Sequence, residues 1–96
     1  MKLMYVYILA NKREGALYVG VTSDLIKRIW QHKNHIFKGF TNKYNVDKLV
    51  YYEVWEDELG AIGREKRLKH WTRRWKQNLI EKDNPNWDDL YDHLIG

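Results

Sequence analysis

An arginine and a histidine four positions apart are the first residues whose types suggest chemistry. Arg28 and His32 fall one turn apart on a predicted helix, so their side chains share one face. A guanidinium binds phosphate through paired hydrogen bonds, and an imidazole transfers protons near neutral pH. Leu25 and Ile29 form a neighbouring stripe that would seat this helix on a sheet. The pair indicates phosphate chemistry, although a solvated basic helix face explains the same spacing.

A single glutamate lies among apolar positions of a later predicted helix. At helical spacing, Ala61, Ile62 and Leu68 share a broad apolar arc, and Glu65 falls near its middle. Its basic neighbours are expected to point away from that arc; they are Arg64, Lys66 and Arg67. An inward carboxylate is unfavourable unless it is paired or binds a cation. The position therefore predicts either a metal-binding or catalytic carboxylate, or a structural salt bridge with a nearby Lys or Arg.

Two tyrosine-containing segments near the N-terminus form a predicted hairpin. Tyr5 and Tyr7 share one face of the first strand, and Tyr18 and Gly20 share a face of the second. Turn residues between the segments favour antiparallel pairing, which brings these four positions together. Ordinary strand packing explains the same pattern, because Tyr is common in strands.

A basic segment over residues 64–76 alternates Lys and Arg with His70, Trp71 and Trp75. Such a segment can contact phosphates and stack on bases. The predicted nucleic-acid contacts are Lys27, Arg64, Lys66, Lys69, Arg73 and Arg74. The alternatives are a solvated helix face for the charges and a core position for Trp71.

The elements that position these residues follow from periodicity and turn chemistry. Strands are predicted at residues 3–10, 16–21 and 49–55, and helices at 25–33, 59–71, 72–82 and 87–94. Residues 34–48 are predicted to form a loop, long enough to suggest a function. The order ββαβαα plus a terminal helix predicts a single α/β domain spanning residues 1–96.

Composition excludes several functional classes. The chain has no Cys, so disulfide frameworks, thiolate zinc sites and cysteine nucleophiles are ruled out. No apolar run approaches the roughly 20 residues that span a bilayer, and we expect a cytoplasmic protein without membrane contact. The net charge of +4 is distributed in alternating basic and acidic blocks. The basic blocks can attract a polyanion, whereas the acidic C-terminal block argues against a simple DNA-coating protein.

Together the motifs resemble the GIY-YIG endonucleases, particularly the small stand-alone UPF0213 type. Tyr5-Val6-Tyr7 and Tyr18-Val19-Gly20 have the family spacing, Arg28 follows where the family arginine is found, and Glu65 matches the family glutamate. Further similarity lies in Gly20 to Leu25 and in Arg64-Glu65-Lys66 with Trp71. The resemblance covers residues 4–90 and implies a three-stranded antiparallel sheet flanked by helices.

The resemblance also implies a mechanism. Glu65 would hold one divalent metal ion, Mg²⁺ or Mn²⁺, which activates water and stabilises the leaving oxygen. Tyr7 and Tyr18 correspond to the family tyrosines, of which Tyr18 would orient or deprotonate the attacking water. Arg28 would bind the phosphate or lower the pKa of a tyrosine, and His32 would assist proton transfer.

The chain departs from the family pattern at three positions. Tyr5 replaces the first motif glycine and Val19 the second motif isoleucine, changes that concern packing. The family asparagine has two candidate counterparts, Gln77 and Asn78, and neither is assigned.

These observations predict a metal-dependent phosphodiester hydrolase, DNA endonuclease-like, with structure-directed or weak specificity and a role in DNA repair or recombination. RNA remains an alternative substrate, and a protein partner could supply specificity. The main alternative is a nucleic-acid-binding module with little or no catalysis. A third is an adaptor that contacts another protein through its acidic tail and exposed Trp residues.

Overall fold

The computed structural model of the chain describes residues 2–96. Its strands are β1 (Met4–Ala10), β2 (Leu17–Thr22) and β3 (Lys48–Trp55). Its helices are α1 (Leu25–Lys33), α2 (Phe40–Lys43), α3 (Glu58–His70), α4 (Arg73–Asp83) and α5 (Tyr91–Ile95).

The three strands form one antiparallel sheet with the order β2-β1-β3, so β1 is central. Tyr7 lies opposite Gly20 on β2 and opposite Tyr52 on β3. A register shift between Ile8 and Leu9 bends the pairing of β1 with β3. The predicted three-stranded antiparallel sheet with flanking helices is confirmed.

Each face of the sheet carries its own hydrophobic cluster, because side chains of β1 alternate between them. Val6 and Ile8 pack with Leu68 of α3 and Ile80 of α4. Tyr7 and Leu9 belong to a second cluster on the opposite face; its other buried members are Leu25, Ile29, Val46, Leu49 and Tyr91. Helices therefore cover both faces, and the alternation of side chains along β1 decides which of them meet which helix.

The boundaries of the long elements agree with the predicted ones to within one residue at most ends, because the caps are readable in the sequence. Asp24 accepts a hydrogen bond from the Lys27 amide and so caps α1. Asp57 caps α3 and Thr72 caps α4 in the same manner. Trp71 has an extended backbone between α3 and α4, and this conformation separates the two helices.

The segment predicted as a plain loop, residues 34–48, contains the short helix α2 and begins β3 at Lys48. Val46 is completely buried and Thr41 nearly so, and these two side chains fasten the segment to the protein. The prediction was wrong on this point because four helical residues leave no detectable periodicity.

The terminal helix begins at Tyr91, not at the predicted position 87. Trp87 has a positive φ of 57° and a fully buried ring, and its indole N–H donates to Glu81. Asn84 organises this stretch by donating to the Val50 and Asp88 carbonyls. The acidic C-terminal segment is therefore packed into the fold, which its charge alone did not reveal.

None of the helices in residues 2–96 has the length and apolar character required to cross a bilayer. The cytoplasmic location stays a prediction.

Candidate active site

The candidate site begins at the closest approach of β1 and β2. The ring of Tyr7 lies across the backbone of Gly20, its cross-strand partner. A Cβ at position 20 would stand 2.4 Å from the Tyr7 hydroxyl oxygen, far inside contact distance. Glycine is therefore required at this position so that the Tyr7 ring can lie flat over the neighbouring strand.

His32 of α1 joins the two tyrosines. Its Nε2 lies 3.3 Å from the Tyr7 hydroxyl, and its Nδ1 lies 3.2 Å from the Thr41 hydroxyl of α2. The ring centroid of Tyr18 is 5.5 Å from that of His32 and 6.4 Å from that of Tyr7. The structure thus brings Tyr7, Tyr18 and His32 into one cluster. Strand periodicity paired the two tyrosines, whereas only the family resemblance implied that they join His32.

Burial determines the protonation states in this cluster. Burial and the neighbouring Tyr18 raise the pKa of Tyr7, and the positive charge of Arg28 opposes this rise without cancelling it. Burial, with Arg28 second, lowers the pKa of His32 to about 4. At neutral pH Tyr7 is therefore a protonated phenol and His32 a neutral imidazole. Arg28 lowers the pKa of Tyr7, the direction that was expected, but burial and Tyr18 raise it more, so the net shift is upward.

A pocket of about 210 Å³ opens beside this cluster. Tyr18, Arg28 and His32 line one part of it, and residues of the 34–46 segment line the rest; these are Phe37, Lys38, Phe40 and Thr41. The Arg28 guanidinium lies 5.5 Å from the centre of the Phe37 ring. Two cationic residues therefore line the pocket together with hydroxyl groups, an environment suited to a phosphate.

Glu65 projects from α3, which packs over β1 and β2. Its carboxylate forms an ion pair with Lys69, at 3.0 Å through Oε2, and its side chain is 14% exposed. Its negative charge makes the smallest of the contributions to the raised pKa of Tyr7, and Glu65 is not among the residues that line the pocket. The salt bridge with a nearby lysine that periodicity suggested is confirmed.

Glu65 is the carboxylate to which the sequence resemblance assigns the metal ion. Within residues 2–96, no group of three or more His, Cys, Asp or Glu side chains is arranged to hold a metal ion. Glu65 would thus be a single protein ligand. This fits Mg²⁺, which usually keeps several waters and binds one or two carboxylates together with substrate phosphates.

The sequence predicts that Arg64 points away from the apolar arc of α3 and contacts nucleic acid. In the structure its side chain instead contacts β3 and Trp71. Its Nε donates to Glu53 of β3 at 2.8 Å, and its guanidinium lies 5.1 Å from the centre of the Trp71 ring. Glu53 also accepts from Tyr51 and Trp55. Burial alone would raise the pKa of Glu53, but the bonds from Arg64 and its other partners outweigh burial and lower it. Arg64 thus connects α3 to β3.

The other predicted nucleic-acid contacts lie on the surface; they are Lys27, Lys66, Lys69, Arg73 and Arg74. Lys27 lines a polar depression that also includes Arg28, beside the site. Arg73 donates to the carbonyls of Glu14 and Gly15 in the β1–β2 turn. Lys69 is the partner of Glu65.

The two tryptophans of the basic segment differ in burial. Trp71 packs against the core cluster, as the alternative interpretation held. Trp75 is 58% exposed and meets the Trp71 ring edge-on at 5.5 Å.

Sequence reasoning missed four residues that line the pocket, Phe37, Lys38, Phe40 and Thr41. They lie in the segment 34–46, whose sequence lacks the periodicity that would have placed them. The only available signal was the length of the segment. Gln77 is half-buried and Asn78 exposed on α4, and the family asparagine stays unassigned.

Comparison with known proteins gives concordant results. A family model described as the GIY-YIG catalytic domain matches residues 3–78. A UPF0213 protein of Clostridium perfringens (strain 13 / Type A) is 43% identical over 76 residues, which cover 79% of this chain and 81% of the relative. A UPF0213 protein of Bacillus pumilus (strain SAFR-032) is 32% identical over 89 residues, covering 93% and 90%.

A solved structure agrees with these relatives. The solution NMR structure of a UPF0213 protein from Bacillus halodurans is similar with a TM-score of 0.56 and 28% identity, and the match covers 91% of this chain and 92% of that one.

Proposed function

The chain belongs to the GIY-YIG family of catalytic domains, and on this premise we propose that it is a metal-dependent phosphodiester hydrolase acting on DNA. Membership of this nuclease-type family supports endonuclease-like activity. We also propose that the activity depends on a metal ion, that its specificity is weak or directed by DNA structure, and that it serves repair or recombination.

The observation that carries the proposal is the convergence of Tyr18, Arg28 and His32 on one pocket. They come from β2 and α1, and Tyr7 supports them from β1. A cluster of side chains that served only to stabilise the fold would not need two cationic residues, Arg28 and Lys38, at the pocket. The pocket instead combines hydroxyl groups, a neutral imidazole and two cations, the groups that phosphodiester cleavage requires.

Arg28 and Lys38 are the residues proposed to bind the scissile phosphate. Both line the pocket, and neither forms an ion pair with an acidic side chain within residues 2–96. The fork of the guanidinium can hold two non-bridging oxygens, and its charge stabilises the additional negative charge of the transition state.

Tyr18 is proposed to orient the attacking water through its hydroxyl group or, as a tyrosinate, to take the proton that the water loses. It lines the pocket, whereas Tyr7 is fully buried and its raised pKa keeps it protonated. The new P–O bond forms to this water and the bond to the leaving oxygen breaks. Cations at the pocket favour the negative charge that develops.

Tyr7, His32 and Thr41 are proposed to position the site. Because His32 is neutral at neutral pH, one of its nitrogens donates and the other accepts. The chain of hydrogen bonds from Tyr7 through His32 to Thr41 therefore fixes the imidazole between a strand and the loop that bears Lys38.

Glu65 is the residue proposed to hold Mg²⁺ or Mn²⁺. A bound divalent ion would stabilise the leaving oxygen and acidify water. Lys69 occupies one carboxylate oxygen of Glu65 and would have to release it when the ion binds. A protein partner that supplies specificity is also part of the proposal.

A cleavage assay with variants tests the proposal. Supercoiled, linear and branched DNA are incubated with the protein in Mg²⁺, Mn²⁺ or chelator, beside Glu65→Ala and Arg28→Ala. We expect cleavage by the native protein with metal only, and a loss of at least about 100-fold in both variants.

The control variants come from α3, the helix that carries Glu65. Glu58→Ala and Arg67→Ala remove exposed charges of α3 and are expected to keep full activity. Cleavage that survives both Glu65→Ala and Arg28→Ala would overturn the assignment. Binding of DNA without cleavage by any form would instead favour the non-catalytic binding module.

A further inference from the structure

The segment between α1 and β3 exposes large apolar side chains beside the pocket. We call residues 34–46 the aromatic loop. Three of its side chains are roughly half exposed, Ile36 at 56%, Phe40 at 47% and Tyr44 at 46%. Phe40 begins α2 and Tyr44 is the residue that caps its C-terminus, and their ring centroids are 5.0 Å apart. Adjacent exposed aromatic rings form a surface that usually has a partner.

Three side chains anchor the aromatic loop to the rest of the protein. Thr41 bonds to His32, Phe37 packs on the same imidazole with ring centroids 4.9 Å apart, and Val46 is completely buried in the core. The inward residues therefore fix the loop, while Phe40 and Tyr44 face outward. Their exposure does not result from a lack of anchoring.

Charge indicates what kind of partner the loop would accept. Residues 25–46 contain five Lys or Arg and no Asp or Glu. Lys43 lies 5.4 Å from the centre of the Tyr44 ring, and Lys38 lines the pocket with Phe40. Aromatic rings interleaved with cations match a single nucleic-acid strand, whose bases stack while its phosphates pair with Lys and Arg.

We propose that Phe40 and Tyr44 stack on unpaired bases next to the phosphate held in the pocket, so that the substrate is nucleic acid with a single-stranded segment at the cleavage position. The inference rests on the proposed function and specifies its substrate class. Phe40 lines the pocket that contains Arg28, so a base on this ring adjoins a phosphate on the guanidinium. Bases within a duplex are already stacked and cannot occupy the rings.

The test measures binding in chelator, where cleavage cannot interfere. Fluorescence anisotropy is recorded with a labelled single-stranded oligodeoxythymidine, an abasic strand of equal length and a blunt duplex. The proteins are the native chain, the double variant Phe40→Ala/Tyr44→Ala, and Trp30→Ala. Trp30 is 50% exposed on α1, about half a turn away from Arg28 and His32, and serves as the matched aromatic control.

The native protein is expected to bind the oligodeoxythymidine more tightly than the abasic strand. The double variant should lose about tenfold or more in affinity for the former and little for the latter. Trp30→Ala should bind like the native protein. Near-ultraviolet and far-ultraviolet circular dichroism establish that the double variant is folded.

Two results would overturn the stacking proposal. Equal affinity of the native protein for the base-bearing and abasic strands, or an unaltered affinity in the folded double variant, would show that the rings do not contact bases. Metal-dependent cleavage retained alongside either result would leave the proposed function intact. Self-association of the native chain in sedimentation, abolished by the double variant, would show that a second copy covers the rings and would also overturn the proposal.

Discussion

At the scale of single residues, the site depends on side chains that fit only in one arrangement. Tyr7 can lie across β2 because position 20 has no Cβ, and its hydroxyl then reaches His32. Strand and helix periods paired Tyr7 with Tyr18 and Arg28 with His32, because they determine which side chains share a face, and the family resemblance then joined the two pairs. It did not reveal Thr41, since that contact depends on how an aperiodic segment folds.

Gly20→Ala is the first prediction at this scale. The added methyl group would overlap the Tyr7 ring, so we expect a loss of about 1–3 kcal/mol in the free energy of unfolding, together with reduced cleavage. Gly63→Ala is the control, because its Cβ would meet only the Arg67 Nη1 at 3.4 Å. That change should stabilise α3 by about 0.5–1 kcal/mol. Urea unfolding of both variants is the measurement, and equal effects would contradict the account.

The pH dependence of stability is the second prediction. The pKa of His32 is lowered to about 4 in the folded state, below its value of 6.5 in the unfolded chain. Between these values the unfolded chain binds more protons, so stability falls as pH decreases through this window and is unaffected by His32 above it. The loss between pH 7 and pH 5 should be about 2 kcal/mol.

The matched variant for this measurement is His32→Gln, which does not titrate. Urea unfolding at pH 7, 6 and 5 should show a shallower pH dependence than in the native protein. Parallel curves for the two proteins would mean that His32 does not carry the effect.

At the scale of elements, capping residues and alternation made most boundaries readable. Where the predicted boundaries or side-chain directions were wrong, the cause is a contact between segments that are distant in sequence. Trp87 adopts a positive φ because its ring is buried and its indole bonds to Glu81. Arg64 turns towards the sheet because β3 presents Glu53 to it. Helical periodicity gave no indication of the carboxylate on another element.

Arg64→Met is the third prediction and belongs at this scale. Removing the guanidinium leaves the partly buried Glu53 carboxylate without its cation, so unfolding free energy should fall by about 1–3 kcal/mol. Arg67→Met, on the exposed side of the same helix, should change it by less than about 0.5 kcal/mol. Thermal or urea unfolding checks both. If Arg64→Met instead weakened DNA binding at unchanged stability, its predicted role as a nucleic-acid contact would be supported over the structural one.

At the scale of the whole molecule, helices on both faces of the sheet carry residues of the proposed site. One face packs against α4 and against α3, the helix that contains Glu65, whereas the other adjoins the pocket through Tyr7 and His32. The acidic C-terminal segment belongs to the folded body, since Asp89 pairs with Lys33 and accepts from the Leu49 amide. Its removal would therefore test folding as well as partner binding. Residues 25–46 contain no Asp or Glu, although Lys33 among them pairs with Asp89, and the stretch includes Arg28 and Lys38 at the pocket, which suits it to a polyanion.

We propose that phosphodiester bonds are cleaved in the pocket beside Tyr18. Single-turnover cleavage by Tyr18→Phe tests this proposal most directly. The change removes one hydroxyl group and keeps the ring. Tyr44→Phe is the control, because it removes a hydroxyl from the aromatic loop while preserving its stacking surface. We expect Tyr18→Phe to cleave DNA at a rate at least about 100-fold lower than the native protein, with unchanged DNA affinity. Tyr44→Phe should cleave at the native rate. Cleavage by Tyr18→Phe at the native rate would contradict the proposal.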